Sequence, residues 1–182
     1  MVLNYYKVAN VFGFIGDYFK NKQAKNSVKR PVINTSPTDQ FSIKYDPNLI
    51  EELEQDHAKL VRLYEQIWSK GFATSNFSKT SSLISQFKSL FQAHLLTENV
   101  KFYVYLEQTL AHDPHNLRIV KEFRTDMNEI ANTAVKFCKT YQGKFSPEMI
   151  HNFEKDYTAI GEVLTRRVSL EEKSLYVLYQ PR

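Results

Sequence analysis

The stretch ISQFKSLFQAHLLTENVKFYVY, residues 84–105, decides the fold. Its apolar and aromatic positions Ile84, Phe87 and Phe91, and after a gap Phe102 and Tyr105, recur three or four residues apart. That spacing marks one buried face of a long helix. His94 and Glu98 fall on the same face. An imidazole and a carboxylate four residues apart on an otherwise apolar stripe need an internal partner, because burying an unpaired charge is costly.

Outward from this segment the punctuation is regular. In YDPNL, HDPHN and FSPEM an Asp or Ser precedes Pro, which suits a helix N-cap followed by proline at the first helical position. Asp46, Asp113 and Ser146 are the expected caps, and Gly71 and Gly143 stand where C-caps belong. The punctuation predicts helices near 47–70, 80–112, 114–142 and 147–179. The other three carry stripes of the same kind. They are Ile50, Leu53, His57, Leu60, Tyr64 and Ile67; then Phe123, Met127, Ile130, Ala134, Phe137 and Tyr141; and last Ile150, Phe153, Tyr157, Ile160, Leu164, Arg167, Glu171 and Leu178. Short loops favour antiparallel neighbours. The expected fold is all-α, an antiparallel up-down-up-down four-helix bundle over 46–180 with an N-terminal extension.

Residues 1–45 read as a leader, a short helix followed by a basic, Pro-containing linker. They hold seven Lys and Arg against Asp17 and Asp39, so the rest of the chain, whose total is +4, sums to −1. A near-neutral bundle argues against nucleic-acid binding. The aromatic start of the leader, with Tyr5, Tyr6, Phe12, Phe14, Tyr18 and Phe19, has two readings. One is a short helix folded back over the bundle; the other, less favoured, is membrane-surface contact through residues 1–30. With the single Cys138, no secretory signal and no apolar run of membrane-spanning length, a cytoplasmic home is expected.

Most charged residues, such as Glu52, Lys59, Lys101 and Lys155, fall between the stripes. His57, His94, Glu98, Arg167 and Glu171 do not. One reading is a metal site, with imidazole and carboxylate ligands from facing helices. The other is a metal-free cluster in which the Arg167 guanidinium lies between the carboxylates. His112, His115 and His151 read as solvated. Cys138 reads as a small hydrophobe, and Tyr103, Tyr105, Tyr176 and Tyr179 as ordinary packing. No nucleophile–base pair or phosphate loop is evident, so an enzyme is not expected.

EQDHAKL, HLLTE and RRVSLEEKSLYVLY, on the first, second and fourth helices, together resemble the hemerythrin-like (HHE cation-binding) family across about residues 46–180. That resemblance implies a non-heme iron centre, mono- or di-nuclear, in a bacterial sensory or regulatory module. It places metal ligands at His57, His94, Glu98, Glu171 and Glu172. It also implies that Met127 and Arg167 stand where the family has histidines, so that the site is partly deliganded or filled by Arg167. A weaker resemblance, in IGEVLTRRVSLEEKSLYVL and AHLLTENVKFYVYL, is to anti-sigma regulators related to the regulator of sigma D. It implies a bundle without metal that acts on a protein partner, a transcription or signalling component.

Overall fold

A computed structural model describes residues 42–182, and the readings of the leader before Ser42 lie outside it. The described chain is helical. Helix α1 runs Leu49–Gln66, widens through a π-helical segment, Ile67–Gly71, and then tightens into a 3-10 turn, Phe72–Thr74. Helix α2 runs Phe77–Thr97, widens into a π-helical segment at Glu98–Tyr103 and resumes as Val104–Thr109. Helix α3 is Pro114–Tyr141. Helix α4 is Pro147–Leu170, followed by a π-helical segment, Glu171–Leu175, and a 3-10 turn, Tyr176–Leu178. The four pack as the expected bundle.

The caps explain the boundaries. Asp113 accepts from the Asn116 amide and Ser146 from the Met149 amide, each with proline next in sequence. Asp46 behaves differently: its carboxylate accepts from Asn48 N at 3.0 Å in a turn that precedes the helix, and α1 begins at Leu49. Helix α2 begins three residues before the expected start, because Asn76 caps it through the Lys79 amide.

Neither glycine adopts the left-handed C-cap. Gly71 has φ −115°, and the left-handed residue is Ser75, at φ 56°. Gly71 is needed for a close approach instead, since a Cβ there would lie 2.7 Å from Thr80 Oγ1 and 3.0 Å from Thr80 Cα. Ile150, expected on the inner stripe, is 36% exposed in the first turn of α4.

The apolar core is in two parts. One holds Leu60, Tyr64, Phe87, Phe91, Met127, Phe137, Phe153 and Tyr157. The other holds Leu49, Leu53, Phe102, Tyr103, Leu106, Val120, Leu175 and Tyr176. The inward polar residues fall between them on three helices. His57 lies between Leu53 and Leu60 on α1, His94 and Glu98 between Phe91 and Phe102 on α2, and Arg167 and Glu171 between Ile160 and Leu175 on α4. A polar layer therefore divides the bundle at one height.

Candidate metal centre

His57, His94, Glu98, Arg167 and Glu171 are each at most 4% exposed. The π-helical segments help to place them. A run of four-residue steps drifts off one face of a regular helix by about 40° per step. On α2 the buried positions 94, 98, 102, 106 and 110 make such a run, as do 167, 171, 175 and 179 on α4. One extra residue per turn, starting at Glu98 and at Glu171, brings each run back to the core. It also buries two consecutive residues at the end of each segment, Phe102 with Tyr103 and Leu175 with Tyr176.

The side chains of the layer form a connected set. His57 Nδ1 lies 3.0 Å from Glu172 Oε1, and its Nε2 lies 3.4 Å from Glu171 Oε2. The Glu172 side chain is buried, at 1% exposure. Arg167 Nε donates to Glu171 Oε1 at 2.5 Å and Nη2 donates to Tyr103 Oη at 2.7 Å. Its guanidinium lies 4.9 Å from the centre of the Phe123 ring, the contribution of α3. His94 stacks obliquely on His57 with ring centres 4.7 Å apart, and its Nε2 is 3.9 Å from Glu98 Oε2. Tyr176 Oη donates to Glu98 Oε1 at 3.3 Å.

The protonation pattern follows from these contacts. Burial pulls the His57 pKa down, but its contacts with Glu171 and Glu172 outweigh that and lift it to about 9. It is therefore an imidazolium with both ring nitrogens donating. Burial, reinforced by the charge on His57, lowers His94 to about 4 and keeps it neutral. Burial, reinforced by the Glu171 charge, pushes Glu98 up to about 8. For Glu171 burial works upward, but His57 and Arg167 overcome it and hold the carboxylate ionised.

All five ligand residues implied by the resemblance thus meet in one layer. Met127 is buried against Phe91 and its neighbours in one apolar cluster, and the α3 side chain facing Arg167 is Phe123. Asp126 and Glu129 are exposed, as are His112, His115 and His151. Cys138 is buried, and burial pushes its thiol up to about 12. The two residues the sequence reading assigned to ordinary packing, and which the structure brings to the layer, are Tyr103 and Tyr176. Their spacing was visible: ENVKFY and EEKSLY each place a tyrosine five residues after the inward glutamate.

Two observations bear on whether these residues suit a cation. His94 Nδ1 and Glu98 Oε2 are buried without a hydrogen-bond partner among the described residues. Buried polar atoms are nearly always partnered, so a missing partner is informative. Donors held about 2.0–2.2 Å from one ion stand about 3.3–3.6 Å apart in tetrahedral geometry. The His57–Glu171 separation of 3.4 Å lies in that range, and the His94–Glu98 separation of 3.9 Å just beyond it. As the side chains stand, no three or more His, Cys, Asp or Glu among the described residues form a group that could hold a metal ion. The His57 proton and the Arg167 guanidinium instead tie up the Glu171 carboxylate. Helix α3 adds no imidazole or carboxylate to this set; the residue it places against Arg167 is Phe123.

A family model described as the hemerythrin HHE cation binding domain matches residues 48–179. No curated protein and no solved structure matches the chain. No helix among the described residues is long and apolar enough to cross a membrane.

Proposed function

The chain belongs to the hemerythrin HHE cation-binding domain family, and from that premise we propose that it holds one cation of the non-heme-iron class between His57, His94, Glu98 and Glu171. The observation that carries this reading is Glu98 Oε2, a buried carboxyl oxygen without a partner among the described residues, next to the neutral imidazole of His94. Glu172 and Arg167 take supporting parts: Glu172 orients the His57 ring through Nδ1, and Arg167 balances Glu171. An iron ion held there would supply reversible one-electron chemistry and a position for a small diatomic ligand. We read the protein as a sensory or regulatory module of the bacterial cytoplasm rather than an enzyme, with a protein partner receiving its signal.

Anaerobic titration with ferrous iron tests the reading. One equivalent bound by the wild type, and none by the double variant His94→Ala/Glu98→Ala, is the expected result. Equal uptake by the two proteins would contradict it.

The Arg167–Glu171 pair favours a second reading. In it the cluster is complete without metal, and the bundle acts only by protein contact. That reading requires no uptake by the wild type and an unaltered melting temperature on adding iron.

A further inference from the structure

Segments 98–103 and 171–176 repeat one device. Each starts with an inward glutamate, spans one π-helical turn and ends near a buried tyrosine whose hydroxyl crosses to the other helix. Tyr103 of α2 accepts from Arg167 of α4, while Tyr176, after the α4 segment, donates to Glu98 of α2. The exchange is reciprocal, but its outcomes differ. Tyr103 engages a cation that is already paired with Glu171. Tyr176 engages one oxygen of a carboxyl group, and the other has no hydrogen-bond partner among the described residues.

We propose that Tyr176 is a positioning residue that decides which oxygen of Glu98 is offered to the cation, which rests on the cation-binding reading given above. Its ring is fixed from two sides. It lies parallel to His57, at 8° with centres 6.0 Å apart, and meets Phe102 edge-on at 5.1 Å. The hydroxyl is therefore placed by ring packing and not by the carboxyl it meets. It takes up Oε1, so Glu98 faces His94 with Oε2, the atom without a partner among the described residues. Partners of this kind around a metal ligand typically change affinity by about 10–100-fold when removed.

The test is cobalt(II) binding by the full chain, followed through its visible absorption, in wild type, Tyr176→Phe and Tyr103→Phe. Tyr176→Phe keeps the ring and both ring contacts and removes only the hydroxyl. The expected result is affinity lower by about 10–100-fold with unchanged stoichiometry, and a smaller loss for Tyr103→Phe. Wild-type affinity in Tyr176→Phe would overturn the positioning role while leaving the cation reading intact. No uptake by the wild type would overturn the cation reading. In that event the infrared carboxyl band of Glu98, assigned with Glu98→Gln, decides the contact by itself. A band that shifts in Tyr176→Phe supports it, and an unshifted band refutes it.

Discussion

Arg167 of α4 and Tyr103 of α2 meet through a 2.7 Å hydrogen bond in the layer that divides the bundle core. The same guanidinium neutralises Glu171 and lies over Phe123. Removing it leaves a buried carboxylate with His57 as its remaining counter-charge. Arg167→Ala is therefore expected to lower stability by about 3–5 kcal/mol, the cost of breaking a buried ion pair from one side. Denaturant unfolding checks this, and a variant as stable as wild type would remove Arg167 from the account.

Without metal, stability should fall as pH rises from about 6.5 to 9. His57 has its folded pKa raised from 6.5 to about 9, so its contribution is complete below 6.5 and is lost as pH passes through 9. Glu98, raised from 4.5 to about 8, has the same sign, and its contribution is lost between those values. His94, lowered to about 4, has the opposite sign, and its share disappears as pH falls from 6.5 to 4. Thermal melts across this range should show the alkaline decline in wild type and a shallower one in Glu98→Gln.

A bound cation needs Glu98 ionised and His57 without the proton on its ligating nitrogen, so uptake releases protons. The rise in melting temperature on adding ferrous iron should be larger at pH 8 than at pH 6. Equal shifts at the two values would mean that the ion binds elsewhere.

Gly71 packs against the backbone of Thr80 in α2. Gly71→Ala forces the two segments apart and is expected to cost about 1–3 kcal/mol, with a lowered melting temperature and an unaltered metal stoichiometry. Full stability would show that this contact is loose.

The helices and the inward polar residues were legible because hydrophobic period and punctuation are local properties. His57, His94, Glu98, Arg167 and Glu171 stood out as breaks in apolar stripes. Their common height was not legible, because it depends on how far each helix slides against its neighbours. The π-helical segments starting at Glu98 and Glu171 had a signal, the runs of four-residue steps after His94 and Arg167, but a stripe read with a constant period absorbs such a run unnoticed. Tyr103 and Tyr176 were assigned to packing for the same reason. Each directly follows a buried residue at the end of its π-helical segment, a position that a stripe of constant period passes over. Gly71 and Gly143 matched the C-cap pattern by composition, whereas the left-handed turn fell on Ser75, where sequence offers no comparable sign.

The most direct test of the central claim is the metal content of untagged protein, grown with ample iron, purified without chelator and analysed by elemental mass spectrometry. About one iron per chain is expected in wild type, and none in His94→Ala/Glu98→Ala. Wild-type protein that carries no metal and takes up none on anaerobic reconstitution would contradict that claim.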